Sequence, residues 1–308
     1  MSNQPVAAPA APSKAQVFVR RLGSSLLLWA VVIGALFSGN RFLSDYVFLA
    51  IMLVLSVAGL LEFYGIAQKR DLVCFKGWGI AAGVLMTVGI FLHCTGKLGI
   101  HNSPSRVNDF ETSFLILFVL GLCVRQFMAR SNTAGIVAIS TTLFGLMYVP
   151  WLLNFITQIN YFPVLTPGDG TFFVLYFILV TKFSDMGAYA VGSLIGKHKM
   201  IPRISPGKTW EGFGGAILVS TIASVVFAHL AKAHLLGMNL KHAIILGVIL
   251  SVSAVIGDLI ESLFKREAGL KDSGKLFPGI GGILDLLDSL LFNAPIMYLY
   301  LRHILTHP

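Results

Sequence analysis

The chain has 308 residues, of which 56% are apolar and only 12% are charged. This composition and the mean hydropathy of +0.80 exclude an ordinary soluble domain and indicate a polytopic membrane protein. The formal net charge of +9 does not indicate binding to nucleic acid. The cations lie in short segments between apolar spans, as in membrane loops, and the chain carries no nucleic-acid-binding motif.

Apolar spans follow one another along almost the whole chain. The Ala/Pro-rich residues 1–21 predict a disordered tail, and residues 22–37 predict a retained membrane anchor. Further spans of about the length needed to cross a bilayer are predicted at 45–67, 77–96, 113–129, 133–153, 171–196, 212–231, 242–264 and 286–305. The predicted fold is an all-α polytopic membrane protein with about nine transmembrane helices. Asn154, Gln158 and Asn160 are expected in a loop on the outer side.

The distribution of lysine and arginine predicts the orientation. With the N-terminus in the cytoplasm, 15 of the 23 Lys and Arg residues fall on the inner side and 6 on the outer side, as the positive-inside rule favours. This orientation places two polar loops, 197–211 and 265–285, on the cytoplasmic face. The predicted spans and loops divide the chain into three parts: the tail (1–21), the N-terminal transmembrane helices (22–170) and a C-terminal region with both polar loops (171–308).

The segment at 257–289 concentrates charge in an otherwise apolar chain. It holds six of the fourteen acidic residues: Asp258, Glu261, Glu267, Asp272, Asp285 and Asp288. Four cations lie among them: Lys265, Arg266, Lys271 and Lys275. The first two and the last two acidic residues are each spaced i, i+3, so each pair shares one face of a helix. Such carboxylate pairs beside a basic loop suit a divalent metal ion and phosphate groups. A solvated loop, or stabilisation of a helix N-terminus, are the alternatives.

A second polar segment covers residues 182–212. Asp185 lies inside an apolar span with Lys182 one turn earlier, which predicts either an internal ion pair or a place in a polar site. The loop that follows supplies phosphate-binding residue types at Ser205, Lys208 and Thr209. A nucleotide-binding P-loop is excluded, because Pro202 stands where its first glycine is required. Glu62 and Arg125, in two other spans, are more simply explained as an interhelical pair or a snorkelling cation than as catalytic residues.

Three sequence motifs in this region resemble one known family. They are DMGAY at 185–189, SPGKTWEG at 205–212 and SLFKREAGLKDSGKLFPGIGGILDLLD at 262–288. Their order and spacing are similar to those of the phosphatidate cytidylyltransferases, also called CDP-diacylglycerol synthases. The resemblance implies an integral membrane enzyme that joins CTP to phosphatidate, giving CDP-diacylglycerol and pyrophosphate with Mg²⁺ as cofactor. It also implies a lipid bilayer around the protein and a bacterial inner (plasma) membrane, with the active site facing the cytoplasm, and it allows a homodimer.

The resemblance also assigns roles to individual residues. Those expected to hold the metal ion are Asp258, Asp285 and Asp288, with Glu261 as a further ligand or support. Those expected to neutralise phosphate charge are Lys208, Lys265, Arg266 and Lys271. Those expected to contact substrate are Asp185, Ser205, Ser262, Asp272, Gly281 and Gly282.

Two positions depart from the family pattern, which usually has His where Ile280 stands and Arg where Leu286 stands. The second change removes a guanidinium that could bind phosphate with two hydrogen bonds. A homologue that binds its ligands with weak or no turnover is therefore an alternative. A transporter with intramembrane charges is a second alternative, but no internal repeat supports it.

Overall fold

The computed structural model describes residues 41–97, 103–129, 133–166, 168–270, 273–274 and 281–306, together with Gly34 and Gly99. The predicted tail at 1–21 lies outside the described residues, as does the predicted anchor at 22–37 apart from Gly34. Nine α-helices are formed by the described residues: α1 (Arg41–Lys69), α2 (Lys76–Thr95), α3 (Pro104–Phe127), α4 (Gly135–Leu146), α5 (Leu152–Asn160), α6 (Asp169–Ile195), α7 (Trp210–Leu230), α8 (Leu240–Glu267) and α9 (Ile283–Tyr300).

Eight helical segments in the described residues are long and apolar enough to cross a membrane. One of them, Gly135–Asn160, joins α4 to α5, and another, Ile283–Leu305, extends α9 by a π-helical turn at Leu301–Leu305. The prediction of an all-α polytopic membrane protein is therefore confirmed. The eight spans correspond to the eight predicted after residue 40.

The span formed by α4 and α5 contains the clearest difference from the sequence prediction. Its π-helical turn at Met147–Trp151 includes Pro150, which has no N–H to donate and displaces the preceding turn. The helix nevertheless continues to Asn160, so the expectation of a loop at Asn154 and Gln158 is wrong. Both side chains are buried: Asn154 Nδ2 donates to Thr87 Oγ1 at 3.1 Å, and Gln158 Nε2 donates to Glu111 Oε1 at 2.8 Å. These polar side chains do not mark a loop, because they form hydrogen bonds between helices.

The polar loop predicted at 197–211 forms an antiparallel hairpin of β1 (Lys199–Ile201) and β2 (Ser205–Thr209). Lys199 pairs with Thr209, and Ile201 pairs with Ser205. Thr209 also begins α7, because its hydroxyl accepts a hydrogen bond from the Gly212 N–H at 3.1 Å. The second predicted loop, 265–285, is helical at both of its ends, because α8 continues to Glu267 and α9 begins at Ile283. Lys265, Arg266 and Asp285 are therefore helical.

Helices α6 and α7 approach closely because glycines face each other across their interface. A Cβ added at Gly187 would lie 2.6 Å from Gly215 O and 2.7 Å from Val219 Cβ, closer than real side chains approach. Small residues at such positions allow helix backbones in membranes to come into van der Waals contact. This contact holds α6 close against α7. Asp185 lies on α6, two residues before Gly187.

We expect Gly187→Ala to lower the free energy of unfolding of the detergent-solubilised protein by about 1–3 kcal/mol, because the added methyl group overpacks the interface. Gly214→Ala is the matched control, since a Cβ there meets nothing within 4 Å. Thermal unfolding followed by loss of the monodisperse peak measures both. Equal stability of the two variants would contradict the packing of α6 on α7 described above.

Candidate active site

A cavity of about 560 Å³ lies where the hairpin meets the ends of α6, α7, α8 and α9. Four of its lining residues are aspartates from three different helices: Asp185, Asp258, Asp285 and Asp288. Ser205 and Lys208 of the hairpin line it as well, together with glycines and with apolar side chains of α6 and α7. The cavity therefore combines acidic groups with one ammonium group and a partly apolar wall.

The structure separates the predicted site residues into three groups. Those that line the cavity are Asp185, Ser205, Lys208, Asp258, Asp285 and Asp288. Those that are described but do not line it are Glu261, Ser262, Lys265, Arg266, Gly281 and Gly282. Lys271 and Asp272 lie outside the described residues, as does Ile280.

Lys208 connects the hairpin to α8. Its Nζ lies 2.8 Å from Asp258 Oδ2 and donates to Val255 O at 3.3 Å. The other oxygen of Asp258 accepts a hydrogen bond from Ser262 Oγ at 3.2 Å. The Asp258 carboxylate is thus oriented from both sides while its side chain stays 35% exposed to the cavity. An ammonium and a carboxylate held together at a cavity wall can each be redirected to a bound ligand.

Lys265 connects α8 to α9 beneath the cavity. Its ammonium pairs with Glu261 Oε2, one turn earlier, and lies 2.5 Å from Asp285 Oδ1. The Glu261 side chain is only 1% exposed. Buried charges require such partners, because an unpaired charge in this environment is costly. In this structure Lys265 holds two helices together.

Asp285 also organises the start of α9. Its Oδ2 accepts hydrogen bonds from Gly282 N at 2.7 Å, from Ser273 N at 3.0 Å and from Ser273 Oγ at 2.8 Å. Gly281 has a φ of +117°, a conformation that favours glycine, and a side chain there would collide with the Asp285 carboxylate. The glycine turn therefore allows Asp285 to cap the helix that carries it.

Arg266 is exposed, and it contacts the hairpin turn and the segment that follows α8. Its Nε donates to Ile204 O at 3.2 Å and its Nη1 donates to Leu270 O at 3.2 Å. The first bond ties α8 to the hairpin turn. The two polar segments that the sequence placed on one face of the membrane are therefore in direct contact.

Asp288 and Asp185 meet through Ser289. Asp288 Oδ1 accepts from Ser289 Oγ at 2.8 Å, and Ser289 Oγ lies 3.5 Å from Asp185 Oδ2. Lys182 Nζ lies 3.6 Å from Asp185 Oδ2 and donates to Leu286 O at 3.3 Å. The predicted internal ion pair between Lys182 and Asp185 is therefore present, and its Asp185 lines the cavity.

Glu62 of α1 is a residue of this site that sequence reasoning did not assign to it. Its Oε1 accepts from Ile283 N at 2.9 Å, and its Oε2 accepts from Leu284 N at 2.9 Å. The interhelical contact expected of Glu62 exists, but its partner is the backbone of α9. Arg125 instead lies over the Phe75 ring, 5.0 Å from its centroid. The sequence signal for this contact of Glu62 was an acidic residue inside an apolar span.

The cavity supplies the oxygen ligands that Mg²⁺ prefers. Among the residues that the structure describes, no group of three or more His, Cys, Asp or Glu side chains is arranged to hold a metal ion. Magnesium sites that also bind phosphates commonly need only one or two protein carboxylates, because phosphate oxygens and water complete the shell. Asp258 and Asp288, which both line the cavity, meet that requirement. The donor set therefore fits a magnesium ion bound together with a phosphate ligand.

Comparison with known proteins agrees with this site chemistry. The sequence model of the cytidylyltransferase family matches residues 20–304, nearly the whole chain. The chain belongs to the cytidylyltransferase family. The resemblance found in the three motifs is thereby confirmed at the level of the family.

Individual members of the cytidylyltransferase family match parts of the chain. The phosphatidate cytidylyltransferase of Staphylococcus haemolyticus (strain JCSC1435) is 44% identical over 136 residues, covering 44% of this chain and 51% of the relative. That of Mycobacterium bovis (strain ATCC BAA-935 / AF2122/97) is 37% identical over 192 residues, covering 60% of each. The uncharacterised protein YnbB of Escherichia coli (strain K12) is 36% identical over 162 residues, covering 53% of this chain and 51% of the relative. The chain spans about half the length of the curated relatives it matches.

We expect Lys265→Met to destabilise this cytidylyltransferase-family chain by roughly 3–5 kcal/mol, because it leaves two buried carboxylates without their cation. Arg266→Met should cost much less, since Arg266 is exposed. Thermal unfolding in detergent compares the two. The double variant Glu261→Gln/Lys265→Met should recover part of the loss, and failure to recover any of it would contradict the pairing of Lys265 with Glu261.

Proposed function

We propose that this chain is a lipid nucleotidyltransferase that joins CTP to phosphatidate, giving CDP-diacylglycerol and pyrophosphate. The observation that carries the proposal is the cavity in which Lys208 lies among four aspartates at one end of the helical bundle. Membership of the cytidylyltransferase family and the names of its relatives from Staphylococcus haemolyticus and Mycobacterium bovis support the same reaction.

The reaction needs little covalent chemistry from the protein. A phosphate oxygen of phosphatidate forms a bond to the α-phosphorus of CTP, the bond from that phosphorus to the bridging α–β oxygen breaks, and pyrophosphate leaves with the bonding electrons. Positioning of the two phosphates and neutralisation of their charge are therefore the main contributions of the protein. A cavity that offers an ammonium group and oriented carboxylates suits both tasks.

The proposed roles follow from where each group lies. Lys208 exchanges its contact with Asp258 for a phosphate of the nucleotide, which frees the carboxylate. Asp258 and Asp288 would hold Mg²⁺, which neutralises phosphate charge when bound, and Asp285 would complete this set from the first turn of α9. Asp185 orients the polar wall through Ser289 and Lys182.

The remaining predicted residues take supporting roles in the proposal. Lys265 pairs with Glu261 and fixes α8 against α9, so Glu261 acts behind the proposed metal ligands. Arg266 fixes the hairpin against α8. Ser205 and Ser262 are proposed hydroxyl donors, and Gly281 and Gly282 admit the Asp285 cap. Lys271 is proposed to neutralise phosphate charge and Asp272 to contact substrate; both lie outside the described residues.

The proposal places the cavity at the cytoplasmic face of a bacterial inner membrane, with the N-terminus in the cytoplasm. The excess of lysine and arginine in the segments on that face supports this orientation. Residues 171–308 form the proposed catalytic region, and residues 22–170 form the proposed N-terminal transmembrane part. The proposal also allows a homodimer.

The test is release of pyrophosphate by the purified protein in detergent, given CTP, Mg²⁺ and phosphatidate. Asp258→Asn should lower the rate by roughly 10²–10³-fold, because it removes the negative charge of a proposed Mg²⁺ ligand without changing the shape of the side chain. Asp71→Asn is the control: it removes an exposed carboxylate at the end of α1, and Asn tolerates the φ of +57° found there.

Each outcome of this assay decides between hypotheses. Release that requires the lipid and the metal, and that Asp258→Asn abolishes, would establish the reaction. CTP binding without release would favour a homologue that has lost turnover. Solute movement across vesicles without pyrophosphate release would favour a transporter.

We further expect that restoring the family pattern with Ile280→His and Leu286→Arg leaves the rate of pyrophosphate release unchanged. Lys182 already brings a cation to position 286, where its Nζ lies 3.3 Å from the Leu286 carbonyl oxygen. Steady-state rates of the wild-type and double-substituted proteins measure this. A gain of tenfold or more, equivalent to about 1.4 kcal/mol in the barrier, would show that the two departures impair the enzyme.

A further inference from the structure

The N-terminus of α9 requires hydrogen-bond acceptors that its own sequence does not provide. The first N–H groups of any helix lack partners within the helix, and a Ser, Thr, Asp or Asn just before it usually accepts from them. Here the residue at that position is Gly282, which has no side chain. Asp285 accepts from Gly282 N, so Ile283 and Leu284 are left to an acceptor from elsewhere.

That acceptor is the carboxylate of Glu62, which comes from α1 and lies 221 residues earlier in the chain than Ile283. It accepts from two consecutive backbone N–H groups, one at each oxygen and both at 2.9 Å. A carboxylate at a helix N-terminus is also favoured by the helix dipole. Hydrogen bonds to a charged acceptor are stronger than those between neutral groups.

The surrounding backbone is shaped to admit this carboxylate. A side chain at Gly274 or at Gly282 would collide with the carboxyl group of Glu62. Two glycines on opposite sides of the turn thus make room for one charged group. A Glu62 side chain that only extended towards water would not need glycine at these two positions.

Glu62 is also joined to the rest of the site through Ser273. Ser273 Oγ lies 3.0 Å from Glu62 Oε2 and 2.8 Å from Asp285 Oδ2, so its hydroxyl bridges the two carboxylates. Asp285 in turn contacts Lys265. A continuous polar network therefore runs from α1 through the loop to α9 and α8.

We infer that Glu62 is a positioning residue for the proposed reaction, holding the first turn of α9 and Ser273 where the cavity aspartates must lie. The inference rests on the proposed function. It concerns a residue of the N-terminal helices, outside the region that carries the three sequence motifs. Glu62 acts through Asp285 and Asp288, which α9 carries, and through Ser273.

The experiment compares Glu62→Gln with the wild-type full-length protein in detergent. Gln keeps the size of the side chain, but it offers one acceptor oxygen in place of two and no charge. We expect kcat for pyrophosphate release to fall roughly 10- to 100-fold, as for the loss of one charge-assisted hydrogen bond that orders the site. The KM for phosphatidate and the thermal midpoint should stay close to the wild-type values. Asp71→Asn, at the end of the same helix, should leave kcat unchanged.

Two further measurements separate positioning from general stability. Amide hydrogen exchange at Ile283 and Leu284 should become faster in Glu62→Gln, while exchange in α6 and α7 stays as in the wild type. Ser273→Ala should lower kcat in the same direction, and the double variant with Glu62→Gln should lose less than the product of the two single losses, because both substitutions break one network. Additive losses would contradict the network.

The outcomes distinguish this inference from the proposed function. Unchanged kcat in Glu62→Gln, beside an active wild type, would overturn the positioning role and leave the proposed function standing. A fall in kcat matched by a general loss of stability and by faster exchange throughout the helices would also overturn it. An inactive wild type would overturn the proposed function and the positioning role of Glu62 in it together, while exchange at Ile283 and Leu284 would still report whether Glu62 caps α9.

Discussion

The arrangement of the site depends on one buried cation. Lys265 lies between Glu261 of its own helix and Asp285 of the next, so two carboxylates that would otherwise repel each other are held beside one ammonium group. In a bundle with little water around these groups, the attraction within such a cluster is strong and the cost of leaving any member unpaired is high. The position of α9 relative to α8, and hence of every aspartate on α9, follows from this pairing.

Charged residues at this end of the bundle divide into two kinds. Lys265 pairs with two carboxylates, whereas Arg266 and Glu62 bond to backbone groups; none of the three lines the cavity, and they hold together the elements behind it. Asp258 and Lys208 remain at the cavity surface, paired with each other and able to exchange partners. A rigid wall with a small number of exchangeable charges suits the binding of highly charged phosphates, because the cost of organising the site is met during folding.

Much of this could be predicted from sequence, since it depends on local pattern. The eight spans follow from runs of apolar residues, and the contact between the two polar segments follows from loop charge and motif order. Asn154 and Gln158 were misassigned because a short polar stretch says nothing about partners on other helices. The hairpin at 199–209 was missed because its strands are too short to show an alternating pattern. The family resemblance assigns Arg266 to phosphate, but sequence does not give the direction of its side chain, which here donates to Ile204 O and Leu270 O.

Glu62 shows most clearly why sequence spacing was insufficient. The three motifs all lie within 185–288, so they invite a division in which the earlier helices only fill the membrane. At the start of α9, however, Asp285 accepts from Gly282 N only, and the N–H groups of Ile283 and Leu284 must find acceptors elsewhere because the helix end is buried. Because α1 packs beside α9, one acidic residue in an apolar span meets that requirement from outside the motifs. Gly282 of the signature's glycine turn is also one of the two glycines that leave room for this carboxylate, so the motif and the distant helix form one structural unit.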